Sequence, residues 1–271
     1  VSDRVVHVGS KSFSVIDFDS GDTKVIVEED SALISERGRE YYELGVNWNK
    51  NEARYLTSNR GTNFVLKTVN LNSTNIVNEF KLPNKIESAT LDEKAEYVAA
   101  LTLKNQVEIW DANKGEVIGE PFSVNKEFSF AEVIGDEGVV FCYDRYVGGQ
   151  FFDASSGTTV SPLLRGYRLE VFYYPKNNIY IVASRRSSII NFWKKGLPEF
   201  EAITLEGTFN GIAVNKAETL LAIATDGGRV KFLDLVNKEP VGNVLRHDAD
   251  VRGMVFHPVN DRFVFTYSND A

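Results

Sequence analysis

Four-stranded antiparallel sheets, repeated along an all-β chain, are the fold class this sequence predicts. Three observations carry the expectation. First, a polar residue closes an alternating apolar run and opens a turn at Asp17, Asn70, Asp111, Asp153, Lys194 and Asp234, at intervals of 53, 41, 42, 41 and 40 residues. Five of these six are Asp or Asn, which accept hydrogen bonds from nearby backbone amides and set turns. Second, the runs "YELGVNWN", "IESATLDE", "FSFAEVIG", "LEVFYYPK", "FNGIAVNK" and "VRGMVFHP" keep their own fixed offset. Third, each is followed by a further short run: "ARYLTS", "EYVAAL", "GVVFCY", "IYIVAS", "LLAIAT" and "RFVFTY". Self-similarity at a fixed period marks a repeat architecture. The β-branched and aromatic content, bounded by Asn, Gly, Pro and charge, is strand chemistry.

The repeating unit therefore reads strand, turn, strand, turn, strand, turn, strand. A four-stranded sheet of this size cannot bury both faces alone. Stacking successive sheets around an axis buries the faces against each other and leaves only short edges. The expected fold is thus a β-propeller of four-stranded antiparallel blades. A β-sandwich is the alternative, and the regular intervals disfavour it. In this reading residues 1–271 are a single domain. Its approximate blades are 1–30 (partial), 31–82, 83–124, 125–164, 165–205, 206–245 and 246–271 (partial).

The blades follow in order. "VVHVGS" and "SFSVIDFD" read as the second and third strands of the opening blade. The long 53-residue interval holds a charged surface insertion, "EEDSALISERGRE" (28–40). The first strand of each unit, as in "GIAV" and "GMVF", is small and apolar, suiting a crowded axis. The last segment, "FTYSNDA", follows a second strand. Seven partial or complete blades is the expectation, six the alternative. The ring is expected to be incomplete in this chain, with a missing segment or partner closing it. No initiator Met is present, so a processed chain or a piece of a longer one is expected.

These segments resemble the WD-repeat β-propeller family, essentially along the whole chain. "EIWDANKGEVIG" is similar to the third strand, Trp-Asp ending and hairpin of that repeat, which implies structural roles for Trp110 and Asp111. "LRHDADVRGMVFHPVNDRFVFTYSND" looks like the family's His, first strand, Pro turn and second strand. The resemblance implies a hydrogen-bonded group of His247, Thr266 or Ser268, and Asp270. The other blades mostly lack the His, and one alone carries the Trp-Asp pair, so the resemblance is to a divergent member. Asp153 and Asp234, at the equivalent turns, are expected to be structural as well.

Composition narrows the function classes. Hydrophobic residues make up 43% and charged residues 25% of the chain, enough apolar mass for a full core. No stretch approaches 18 consecutive apolar residues, so no membrane partner is expected. The net charge of -8 disfavours nucleic acid. A lone cysteine, Cys142, permits no internal disulfide and points to a reducing, intracellular location, cytoplasmic or nuclear.

Catalytic chemistry is not nominated. The three histidines, His7, His247 and His257, show no metal-ligand spacing. Cys142 sits on an apolar strand without an identifiable base. Gly227-Gly228 in "ATDGGRVKF" reads as a hairpin turn, because no helix follows to make a phosphate loop. No cofactor and no metal site are expected. In WD-repeat proteins the turns between second and third strands and the approaches to first strands share one face, usually the binding face. The matching segments here carry Arg60, Arg145, Tyr146, Arg165, Tyr167, Arg168, Arg185, Arg186, Arg229 and Arg252. Arg and Tyr anchor interfaces, and Arg pairs with carboxylate or phosphate. The expected function is a non-catalytic protein–protein interaction scaffold, a subunit of a larger protein or complex, binding an acidic or phosphorylated partner through this face. An enzyme or small-ligand propeller with its site at the channel mouth, and a nucleic-acid-associated propeller, are the alternatives.

Overall fold

A computed structural model describes residues 4–8, 12–17, 23–28, 43–47, 50–59, 62–83, 85–92, 94–135, 138–257, 260 and 264–268. Every regular element among them is a β-strand, 25 in all. They form sheets of up to five strands, and every pairing whose register is defined is antiparallel. This succession is consistent with a β-propeller. None of the described residues forms a helix long and apolar enough to cross a membrane. The chain divides into two compact units.

The first unit runs to Val133 and adds Gly138–Cys142 and Asp153–Gly157. Its first sheet is β1 (Arg4–Val8), β2 (Ser12–Asp17) and β3 (Thr23–Glu28), in that order. Next come β4 (Glu43–Asn47), β5 (Glu52–Asn59), β6 (Thr62–Asn70) and β7 (Ile76–Lys81), again in sequence order. The third sheet holds β8 (Ile86–Leu91), β9 (Tyr97–Thr102), β10 (Gln106–Asp111) and β11 (Glu116–Val117), with β12 (Phe122–Ser123) on β10 as well. The 28–40 insertion lies outside the described residues. Burial falls from the second strand outward: β9 is buried almost throughout, whereas β7 is exposed almost throughout. Leu56, Leu66, Leu82, Leu91, Val98 and Trp110 form one core, joined by Phe80. The guanidinium of Arg54, 2% exposed, donates to the carbonyl of Ala95, and the Thr90 hydroxyl donates to that of Ala131; each pair is 41 residues apart. The sequence period is therefore also the spacing of hydrogen-bonded positions in consecutive repeats.

Strands β13 (Phe130–Ile134), β14 (Val139–Asp144) and β15 (Gly148–Asp153) follow in the chain.

The second unit comprises Ile134–Glu137, Tyr143–Phe152 and Thr158–Ala271. It contains β16 (Leu169–Tyr174), β17 (Ile179–Ser184), β18 (Ile189–Trp193) and β19 (Glu201–Thr204) in one sheet. A second sheet holds β20 (Phe209–Val214), β21 (Leu220–Thr225), β22 (Arg229–Asp234) and β23 (Leu245–Arg246). A two-stranded sheet of β24 (Val251–Phe256) and β25 (Val264–Ser268) follows. All six residues of β17 are buried, while β16 and β20 are half-buried beyond their first residue. Val255, in "GMVF", is 59% exposed. The small, apolar first strands are thus half-buried in this unit, whereas β8, the first strand of its sheet, is buried at five of its six positions. The second strand has paired strands on both edges and packed side chains on both faces, while the first has a strand on one edge only.

The 41-residue period recurs in this unit. Asn210 donates to the carbonyl of Val251 at 2.8 Å and Asn177 to that of Glu218 at 2.5 Å, each 41 residues on. Phe151 stacks on Trp193 with centroids 4.6 Å apart and planes 8° from parallel, and Tyr180 packs against both. The Trp193 indole donates to the carbonyl of Leu197 at 3.0 Å. That contact closes the one repeat whose turn opens with Lys194. A lysine cannot accept amides, so Gly196, with φ of +92°, makes this turn, and the Leu197 amide bonds the Lys194 carbonyl.

Candidate functional site

The turn residues show how the scaffold presents side chains. Asp111 accepts the amides of Asn113 at 2.8 Å and Lys114 at 3.1 Å. Burial pulls its carboxyl upward, but these bonds and the Lys114 charge outweigh it, leaving it below the usual carboxylate range. Asn70, Asp153 and Asp234 each accept the same pair of amides, two and three residues on. Trp110, beside Asp111, stacks on Phe80 at 6.4 Å, and its indole nitrogen is buried without a hydrogen-bond partner among the described residues. His247 Nε2 lies 2.8 Å from the Thr266 hydroxyl. Asp270 lies outside the described residues.

A fifth turn of this type falls outside the repeat interval of the other four, although an Asp preceding a polar turn is a local signal. Asp144 accepts the amides of Tyr146 at 2.8 Å and Val147 at 3.3 Å, holding the turn from β14 into β15. The geometry lifts Tyr146 into solvent, 74% exposed. Gly148 follows with φ of +118°, and a Cβ there would stand 2.1 Å from the Leu164 carbonyl oxygen and 2.8 Å from Arg165 Cα. Only glycine admits that approach. Reciprocal bonds between Gly149 and Leu164, both 2.9 Å, complete the contact.

The segment after Leu164 is thereby laid beside the Tyr146 turn. The Arg168 amide donates to the Arg145 carbonyl at 2.9 Å, and Arg168 takes φ of +49°. The Ser184 hydroxyl donates to the Tyr167 carbonyl at 2.6 Å, tying the segment to the end of β17. The Tyr167 ring then lies 5.7 Å from that of Tyr146. Two guanidiniums share its surroundings: Arg186 at 4.5 Å from the ring centroid and Arg168 at 5.3 Å. Both distances are within cation–aromatic range.

The ten residues expected on one face therefore have different fates. Arg145, Tyr146, Arg165, Tyr167, Arg168 and Arg186 come from segments joined by these backbone contacts. Arg185 differs from its neighbour: its Nε pairs with the carboxylate of Glu170. Arg229 opens β22 and donates to the Glu206 carbonyl at 3.2 Å. Arg60 and the side chain of Arg252 lie outside the described residues. Glu170 and Ser184, which sort and seat these cations, carry no sequence signal, because their partners are 15 and 17 residues away.

Beside β20 and β24 lies a separate groove of about 440 Å³, lined by Ile212, Val214, Lys216, Met254, Phe256 and His257 among others. Among the described residues, no group of three or more His, Cys, Asp or Glu is placed to hold a metal ion.

No known family model matches the chain, and no curated protein matches its sequence. In fold, the chain is similar to one in a solved structure titled "Crystal Structure of Mitotic Checkpoint Complex". That match has a TM-score of 0.66 and 11% identity, and covers 98% of this chain and 81% of the other. At that identity the likeness shows the fold alone.

Proposed function

We propose that this chain is a non-catalytic interaction scaffold, a divergent WD-repeat-like propeller of seven blades that binds an acidic or phosphorylated protein partner within an intracellular complex. The seven sheets among the described residues and their antiparallel order support the propeller reading. The similar solved chain belongs to a structure titled as a complex, which agrees with an interaction role. The observation that carries the proposal is the Tyr167 ring with Arg168 and Arg186 beside it, neither guanidinium paired with a carboxylate among the described residues. Exposed cations on an aromatic support, in a protein of net charge -8, form a local surface suited to carboxylate or phosphate.

Affinity capture from cell extract, read by mass spectrometry, tests this. The double variant Arg168→Glu/Arg186→Glu is expected to lose the acidic partners that the parent chain captures, with an unchanged circular dichroism spectrum. Arg185→Glu, whose parent side chain is already engaged by Glu170, is expected to retain them. Equal capture by the parent and the double variant refutes the proposed face.

A further inference from the structure

We infer that Arg168, Tyr167 and Arg186 form a subsite for a phosphomonoester dianion, so that the partner is recognised by a phosphorylated residue rather than by Asp or Glu. This rests on the interaction reading above and goes further by choosing between its two ligand chemistries.

Glu170 is occupied by Arg185, and the Asp144 carboxylate receives two amides of its own turn. Neither Arg168 nor Arg186 has an ion-pair partner among the described residues. The two guanidiniums nevertheless sit near one ring, at 5.3 and 4.5 Å from its centroid. Like charges gathered at one support repel, and each raises the cost of the other. The backbone contributes to the gathering, because Arg168 holds the left-handed φ of +49° that its bond to the Arg145 carbonyl accompanies.

Stoichiometry then selects the ligand. A carboxylate carries one charge, so even when its two oxygens bond both guanidiniums one of the two positive charges stays uncompensated. A phosphomonoester carries about 1.5 to 2 negative charges near neutral pH and three acceptor oxygens, enough for two forks at once. The Tyr146 ring, 74% exposed and 5.7 Å from Tyr167, supplies apolar surface for the side chain next to the phosphate. Arginine is required rather than lysine, because the planar fork both stacks on the ring and grips two oxygens.

Fluorescence anisotropy with the purified chain tests the inference. The probes are labelled degenerate peptide pools with one central phosphoserine, phosphothreonine or phosphotyrosine. The same pools with central Glu, pools with the unmodified residue, and a single-stranded oligoribonucleotide complete the set. At least one phosphorylated pool is expected to bind about ten-fold more tightly than the Glu pool, the value of one further charge-assisted bond. Arg168→Gln/Arg186→Gln is expected to bring the two pools within about two-fold of each other, and Arg186→Lys to narrow the gap, with thermal melts like the parent's showing that the fold persists. If the Glu pool equals the phosphorylated pools and both exceed the unmodified pool, the phosphate subsite falls and the acidic-partner reading survives. If the unmodified pool binds equally well, or the oligoribonucleotide binds tightest, both fall.

Discussion

Adjacent glycines at the β21–β22 turn offer a clean test of how this scaffold positions its loops. Gly227 and Gly228 have nearly the same left-handed φ, +68° and +70°. Their surroundings differ. A Cβ on Gly227 meets nothing within 4 Å, whereas one on Gly228 would lie 2.2 Å from the His247 carbonyl oxygen and 2.6 Å from that of Ala249. Both obstacles are backbone, so no rotamer change relieves them. Gly227→Ala should cost only the left-handed conformation of a residue with a Cβ, about 1 kcal/mol. Gly228→Ala should cost that plus the displacement of the 247–249 segment. The displacement includes the 2.8 Å bond from the His247 amide to the Gly228 carbonyl. With that bond worth about 1 kcal/mol and a comparable cost for the shifted backbone, the sum is about 3 kcal/mol.

Differential scanning calorimetry reads the difference directly. In a chain of this size 1 kcal/mol moves Tm by about 2–4 °C, so Gly227→Ala should lower it by about 3 °C and Gly228→Ala by about 9 °C. The comparison cancels the φ cost and isolates the steric one. Equal destabilisation of the two variants, within about 0.5 kcal/mol, would refute the close approach of the 247–249 segment to this turn.

Two further expectations concern titratable groups. Burial pushes the Cys142 thiol above its ordinary range. It should therefore resist a thiol-specific disulfide reagent in the native state and react at the rate of unfolding; prompt labelling of native protein would contradict its placement. Hydrogen bonds from the Thr208 hydroxyl and amide hold the Asp226 carboxyl below the usual carboxylate range, with a smaller contribution from Arg229. A depressed folded-state value means a stabilising contribution that is present above the unfolded-state value and lost as pH falls through the folded-state value. Thr208→Val should raise the Asp226 midpoint in an NMR titration and flatten the acid limb of the stability profile; an unmoved midpoint would contradict the assignment.

The repeat was legible because its signals are local. An Asp or Asn that bonds the amides two and three residues on acts within one turn, so Asn70, Asp111, Asp153 and Asp234 announce themselves in the chain. Strand alternation is equally local, and a regular interval between turns needs nothing beyond counting. The Lys194 turn was visible by position, but the Trp193–Leu197 bond that completes it was not. Burial along the first strands differs from sheet to sheet, from five of six positions in β8 to one of six in β16 and β20, because apolar composition does not say how many neighbours a strand will have.

The arginines mark the boundary most sharply. Sequence composition alone placed Arg185 and Arg186 side by side, as two equal cations at the end of a strand. Only the folded chain separates them, one neutralised by Glu170 across the β16–β17 pair, the other laid over Tyr167. Chain order determined the period, the strands and the turns, since those depend on interactions spanning a few residues. Tertiary structure decided which charges stay unpaired, because pairing depends on partners 15 or more residues away that the sheets bring into register.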